Sequence, residues 1–227
     1  VKYSLDNGTT WQDKAPLFRN ATDGLVTVLV KISREMYEDE QLEVHFNIKR
    51  VQLTIKVDDK AVKYGEAAPE FTATYTGFVN NEKAEIKNSA GLTQLPTFTC
   101  NYTIGANAGT TFDIVASGAE AKNYTIVYEK GTLTVEKAEV AKPTKNTTTF
   151  VYNGQQQTYL PNGYDATKMN ISNNIQKDAS PDAYSVSVIP NSNYVWADTK
   201  DSQAISFKFA IEQKVAEIVW QTTNLVY

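Results

Sequence analysis

The stretch Val51–Val57, which reads VQLTIKV, places apolar side chains at every second position, with Leu53 and Ile55 at its centre. Successive side chains of a strand point to opposite faces, so this alternation predicts a strand with one buried face. The same alternation recurs in three further stretches, at residues 44–48, 133–135 and 205–211. Period-two patterning therefore sets the fold class.

Six other stretches are rich in Val, Ile, Thr, Tyr and Phe, the residues that suit a pleated surface, and they are predicted as strands: residues 25–32, 71–76, 97–104, 111–116, 123–129 and 183–189. Asn-Gly turn dipeptides occur at Asn7-Gly8, Asn153-Gly154 and Asn162-Gly163. Helical periodicity is nearly absent, and residues 84–90 could form at most one or two turns. The sequence predicts an all-β protein.

Internal repetition indicates a tandem array. Residues 148–154 (TTFVYNG) open a unit, and the last residues, 222–227 (TTNLVY), resemble that opening. Closing strands also recur, and each is followed at once by a new alternating run. We therefore predict a partial first module at 1–50, complete modules at 51–138 and 139–213, and the opening strand of a further repeat at 214–227.

Composition narrows the function classes. The 227 residues carry a formal net charge of −4, which argues against nucleic acid as a partner, and no apolar run approaches the length of a membrane-spanning helix. One cysteine, Cys100, cannot form an intramolecular disulfide, and one histidine, His45, leaves little histidine chemistry. The sequence contains no phosphate-binding loop, no CxxC, no HExxH and no EF-hand loop.

Several motifs of the second module resemble the YGX-type MBG repeat of bacterial surface adhesins. They are Tyr64-Gly65 after a strand, the run from Pro69 to Phe71, the tripeptide Asn123-Tyr124-Thr125 and the closing run at 131–135 (GTLTV). The first and third modules are similar to Ig-like repeats of bacterial cell-wall proteins. The resemblance implies small Ig-like β-sandwich modules in tandem, with a β-grasp-like fold as the alternative for the second module.

Exposed aromatic side chains are the candidate ligand site, because sugar rings stack on Trp and Tyr. Trp11 follows the Asn7-Gly8 turn, and Trp196 and Tyr194 lie in a segment with polar neighbours. These three residues are the predicted ligand-binding set, and the alternative is that the tryptophan rings cover the ends of small sandwiches. Trp220 alternates with Ile218 and is predicted to face a core.

The resemblance implies a non-catalytic stalk region of a bacterial cell-surface or secreted adhesin-type protein, which spaces or presents a binding domain. The alternatives are a glycan- or mucin-binding module and, third, an accessory region of a secreted polysaccharide-degrading enzyme. We predict no enzyme activity, no cofactor and no metal site. The expected partners are a host glycan, mucin or extracellular protein, and the chain is expected to be a monomer or to exchange strands head to tail.

Overall fold

Strands form all the regular secondary structure in the residues that the computed structural model describes, which are 1–84 and 91–216. The first ten strands are β1 (Lys2–Ser4), β2 (Val26–Ile32), β3 (Glu40–Phe46), β4 (Val51–Val57), β5 (Lys60–Lys63), β6 (Ala73–Thr76), β7 (Thr97–Cys100), β8 (Thr111–Ser117), β9 (Tyr124–Glu129) and β10 (Gly131–Glu136). The other nine are β11 (Ala138–Val140), β12 (Phe150–Val151), β13 (Gln157–Thr158), β14 (Met169–Ser172), β15 (Ile175–Gln176), β16 (Tyr184–Pro190), β17 (Tyr194–Trp196), β18 (Ile205–Phe209) and β19 (Ile211–Glu212).

The predicted all-β class is confirmed. The deciding stretch is strand β4 along its whole length, and Leu53, Ile55 and Val57 are buried on one of its faces. The turn at Asn7-Gly8 has positive φ at both residues, 55° and 83°, as expected for that dipeptide. Of the predictions at residues 84–90 and 214–227, all but Ala84 and residues 214–216 lie outside the described residues, and Trp220 is among those excluded.

The first sheet has the order β1–β2–β3 and is antiparallel. Within residues 44–48, the stretch predicted to be half buried, Phe46 and Ile48 are half buried but Val44 is 46% exposed, and Leu42, earlier in β3, is 47% exposed. The register puts Leu42 and Val44 on the same face as Phe46, where the ring of Phe18 packs edge-on at 4.7 Å. This aromatic contact covers only the Phe46 end of the face, so the period-two pattern overestimated its burial.

Strand β4 lies at the centre of a three-stranded sheet, between β6, which is antiparallel to it, and β9, which is parallel. A second sheet has the order β5–β10–β8–β7. Strand β8 packs close to β4 and β9, and it contributes the buried Ile114 and Ala116. With two sheets and no helix among the described residues, this region favours the sandwich over the β-grasp alternative.

Residues 138–212 have their own core. Strands β14, β16 and β18 form an antiparallel sheet, and the pairs β11–β17 and β12–β19 are parallel. The buried cluster consists of Val140, Tyr159, Met169, Val186, Val188, Trp196, Phe209 and Ile211. Tyr159 and Phe209 stack with centroids 5.0 Å apart, so aromatic rings supply much of this core.

The chain divides into two compact units. The first comprises Val1–Lys60, Pro69–Tyr102 and Thr111–Leu133, and the second comprises Ala61–Ala68, Thr103–Thr110 and Thr134–Tyr227. The module boundaries at 50/51, 138/139 and 213/214 stay predictions.

Candidate functional site

Trp196 is fully buried at the end of strand β17, with none of its surface exposed. Its indole N–H donates a hydrogen bond to the backbone oxygen of Gln203 at 2.7 Å. A ring in this position offers no face to a sugar. The ring therefore acts as a core side chain with a satisfied polar group, the arrangement expected for a tryptophan that closes one end of a sandwich.

Tyr194, two residues earlier on the same strand, is half buried. Its ring packs edge-to-face against Tyr64, with centroids 5.6 Å apart and planes at 73°. This contact is the favoured geometry of an aromatic pair, so much of the Tyr194 ring is already used inside the protein. A ligand-binding role for Tyr194 stays a prediction.

Trp11 belongs to the first unit and is half buried beside the Asn7-Gly8 turn. The turn is held by Asp6, whose carboxylate accepts hydrogen bonds from the backbone N–H and the hydroxyl of Thr10 and from the hydroxyl of Ser4. The two Thr10 bonds, followed by the Ser4 bond, lower the pKa of Asp6 to about 2. Trp11 thus sits on an ordered loop, and it is in a different unit from Tyr194 and Trp196.

Three side chains of types that often take part in catalysis, His45, Cys100 and Asp58, contact residues of the strands and loops around them. His45 is exposed and its Nδ1 lies 2.9 Å from the hydroxyl of Thr27. Nε2 of His45 also lies 3.4 Å from a carboxylate oxygen of Glu43, its neighbour on the same face of β3. Cys100 is a half-buried free thiol at the end of β7. Asp58 accepts hydrogen bonds from the hydroxyls of Thr72 and Thr74, and these bonds lower its pKa.

Within residues 1–84 and 91–216, no group of three or more His, Cys, Asp or Glu side chains is arranged to hold a metal ion. The same part of the chain contains no helix long and apolar enough to cross a membrane.

The most specific polar geometry occurs where one predicted module meets the next. At the first joint, defined by Asn20, Ala21, Val51 and Asn123, the Asn123 side chain bridges the two modules. Its Oδ1 accepts a hydrogen bond from the Ala21 N–H at 2.9 Å, and its Nδ2 donates to Oδ1 of Asn20 at 3.3 Å. Its backbone oxygen accepts from the N–H of Val51, the first residue of β4, at 3.0 Å.

Arg50 strengthens this first joint. Its Nε donates to the backbone oxygen of Lys122 at 3.1 Å, and its Nη2 lies 2.6 Å from a carboxylate oxygen of Asp23. The guanidinium therefore links a residue of the first module to the residue just before Asn123. Several donors in a fixed fork suit arginine to this position.

The second joint, defined by Asn107, Ala108, Ala138 and Asn193, repeats the geometry inside the second unit. Oδ1 of Asn193 accepts from the Ala108 N–H at 2.9 Å, and Nδ2 of Asn193 donates to Oδ1 of Asn107 at 3.1 Å. The backbone oxygen of Asn193 accepts from the N–H of Ala138, the first residue of β11, at 2.9 Å.

The two joints agree in bonding and, for three of their four residues, in sequence spacing, whereas the bridging Asn123 and Asn193 are 70 positions apart. Residues 20 and 107, 21 and 108, and 51 and 138 are each 87 positions apart. In both joints a tyrosine, Tyr124 or Tyr194, follows the bridging asparagine. Sequence reasoning singled out Asn123, Tyr124 and Tyr194 for other reasons and missed the joints, although the repeated dipeptides Asn-Ala and Asn-Tyr were visible signals.

A charge cluster lies beside the second joint. Oε1 of Glu139 accepts from Nζ of Lys63 at 2.9 Å, and Oε2 of Glu139 lies 2.6 Å from Nζ of Lys200. The hydrogen bond from Lys200, followed by that from Lys63, lowers the pKa of Glu139 to about 2. One carboxylate thus joins a residue of β5 to the loop after β17.

Comparison with known proteins supports the resemblance seen in the second module. No curated protein and no solved structure matches the chain. The model of the YGX-type MBG domain family matches residues 53–134, a span that begins inside β4 and ends inside β10. Residues 53–134 are therefore similar to the YGX-type MBG domain, which confirms the resemblance predicted for the second module.

Proposed function

We propose that this chain is a non-catalytic structural region of a bacterial surface or secreted adhesin-type protein, in which successive β-modules space or present a binding domain. The similarity of residues 53–134 to the MBG domain supports the surface setting, because domains of this family occur in surface and adhesin-like proteins. The proposed location is extracellular, at the bacterial cell surface.

The observation that carries the proposal is the recurrence of one joint at two places. Asn123 in the first unit and Asn193 in the second each make three hydrogen bonds: one accepted from the N–H that starts β4 or β11, and two with an Asn-Ala loop. Only residue 137 separates β10 from β11, so the connector has little conformational freedom of its own. A repeated, short and bonded connector suits a spacer better than a flexible tether.

Distance measurement across the second joint tests this function. Spin labels would be placed at two exposed positions of the second unit, Ala67 and Lys177, after Cys100→Ser removes the native thiol. A spacer predicts one narrow distance distribution that broadens when Asn193→Ala removes the bridging amide. Asn153→Ala, in a turn away from the joint, is the control and should leave the distribution narrow. A broad distribution in the parent protein would contradict the spacer function.

Glycan or mucin binding is the second candidate function, and it is favoured by the partial exposure of Trp11 and Tyr194. Trp196 is fully buried, which supports a core role for that ring. A glycan and mucin array screened with the parent protein and with Trp11→Ala separates the candidates. Binding that Trp11→Ala abolishes, with the melting temperature nearly unchanged, would replace the spacer function with an adhesive one.

A further inference from the structure

A third loop repeats the Asx-Ala pattern of the two joints. Asx-Ala dipeptides occur at five places in the sequence, and three of them share one backbone hydrogen bond: Asn20–Ala21–Thr22, Asn107–Ala108–Gly109 and Asp178–Ala179–Ser180. In each, the N–H of the third residue donates to a carbonyl oxygen of the strand region that closes the module. The bonds are Thr22 to Ile48 at 2.9 Å, Gly109 to Val135 at 2.8 Å and Ser180 to Ile211 at 3.3 Å.

Strand register confirms that the first and third loops are equivalent. In the first unit, Val26 pairs with Phe46, four residues after Thr22 and two before Ile48. In the second unit, Tyr184 pairs with Phe209, four residues after Ser180 and two before Ile211. The two loops therefore enter their sheets at the same point of the antiparallel ladder. The match is one of hydrogen-bonded backbone, not of sequence alone.

The third loop differs from the other two in the hydrogen bonding of its alanine N–H. The N–H of Ala21 and the N–H of Ala108 are each bound by an asparagine of the next module. Among residues 1–84 and 91–216, the Ala179 N–H and the Asp178 carboxylate have no hydrogen-bond partner. Asp178 is exposed and Ala179 is half buried, so a partner can approach both groups.

We propose that Asp178, Ala179 and Ser180 form a docking surface for one further β-module of the same type, joined through residue 214. This inference rests on the proposed spacer function and names the partner that the third loop takes. Val51 and Ala138 lie three residues after Ile48 and Val135, and Lys214 lies three residues after Ile211. The N–H of Lys214 is therefore the expected donor to the backbone oxygen of the incoming residue.

The chemistry of the loop selects an asparagine. The Ala179 N–H requires an acceptor, and the Asp178 carboxylate, which is acceptor-only when ionised, requires a donor. The primary amide of Asn presents one of each at the end of a short side chain. An aspartate in the incoming module would put two carboxylates together and would leave Asp178 without a donor. The new bond to the Asp178 carboxylate would be charge-assisted, whereas the bonds to the amide oxygens of Asn20 and Asn107 are not.

The test joins a second copy of residues 138–213 directly to Gln213, in place of residues 214–227, so that Ala138 of the copy takes the position of Lys214 and supplies the same backbone N–H. Amide hydrogen exchange at Ala179 is then followed by NMR in the parent and in the extended protein. We expect exchange at Ala179 to slow at least tenfold in the extended protein. Asn193→Asp in the appended copy alone should reverse that protection, whereas Asn153→Asp in the appended copy, which keeps the acceptor that Asn153 uses, should not.

Unchanged exchange at Ala179, in an extended protein whose appended core is protected, would overturn the docking surface. So would equal protection of Ala179 in the parent, or protection that survives Asn193→Asp in the appended copy. The spin-label experiment reads only the second joint, so the spacer function can stand or fail separately from the third loop.

Discussion

Asn123 and Asn193 make the same three hydrogen bonds at two places in the chain, one in each compact unit. In both cases the side-chain oxygen accepts from an alanine N–H at 2.9 Å, and the side-chain nitrogen donates to another asparagine. Each asparagine therefore acts as acceptor and donor at once, which neither Asp nor Leu of similar size can do.

Asn193→Asp is the isosteric test of this dual role. Loss of the donor leaves a side-chain oxygen of Asn107 facing a side-chain oxygen of residue 193. We therefore expect the free energy of local opening at this joint to fall by about 1–3 kcal/mol. Amide exchange of Ala108 should accelerate by roughly ten- to a hundred-fold, since about 1.4 kcal/mol corresponds to a factor of ten. Asn153→Asp serves as control because Asn153 only accepts a bond, from the N–H of Gln155. An unaltered Ala108 rate would show that the amide donor is dispensable.

Trp196→Phe should strongly destabilise the core of residues 138–212. The substitution removes buried volume and leaves the Gln203 oxygen without its indole donor, and together these cost about 3 kcal/mol. Amide protection of Val186 and Val188, both fully buried, reports on this core. Trp11→Ala, at a half-buried ring in the other unit, should leave that protection unchanged. Near-normal protection in Trp196→Phe would show that the ring is not essential to the core.

Gly77→Ala should disrupt strand β4. A Cβ built at Gly77 would lie 2.3 Å from the backbone oxygen of Gln52, and Gly77 has φ of +115°. Both the overlap and the left-handed backbone oppose a side chain, so we expect a loss of about 2 kcal/mol or more. Gly24→Ala is the matched control, since nothing lies within 4 Å of its Cβ position. The melting temperature of Gly77→Ala should lie below that of Gly24→Ala, and equal values would contradict the expected clash.

The pH dependence of stability should contain a contribution from Glu139. The pKa of Glu139 falls from 4.5 to about 2 on folding, so its bonds to Lys200 and Lys63 stabilise the protein fully above pH 4.5. That contribution is lost as the pH falls towards 2. The urea midpoint of the parent should therefore exceed that of Glu139→Gln at pH 7, and the difference should shrink between pH 4.5 and 2. Added salt should also shrink it, because the pair is near the surface.

Glu70→Gln, at an exposed loop position, is the control for Glu139→Gln. A difference between parent and Glu139→Gln that stays constant from pH 7 to 2 would indicate a packing effect and not a charge effect.

The long strands could be predicted from sequence because period-two alternation is a local signal. Strands β4, β8 and β16 lie within one residue of their predicted limits. The strands of two or three residues, such as β11 and β12, are too short to show alternation, and they form through parallel pairing with distant segments. Sequence alone could not locate them.

The candidate site divides in the same way. The polar neighbours of Trp196 suggested exposure, yet adjacent strand residues point to opposite faces, and the ring lies in the core. The joints depend on contacts between residues 85 and 102 positions apart, which no local pattern reports. The sequence does contain the repeated dipeptides Asn-Ala and Asn-Tyr, but only the structure shows that they pair with each other at the joints.

The single residue between β10 and β11 has a consequence for proteolysis. Proteases cleave extended chain that can leave its surroundings over several residues on either side of the scissile bond. Lys137 is exposed, but strand residues flank it on both sides, and the next N–H, that of Ala138, is bound to Asn193. Trypsin can therefore reach the Lys137 side chain, but the flanking strands keep the backbone from entering its active site. Such a connector is expected to stay intact when trypsin is added to the folded protein.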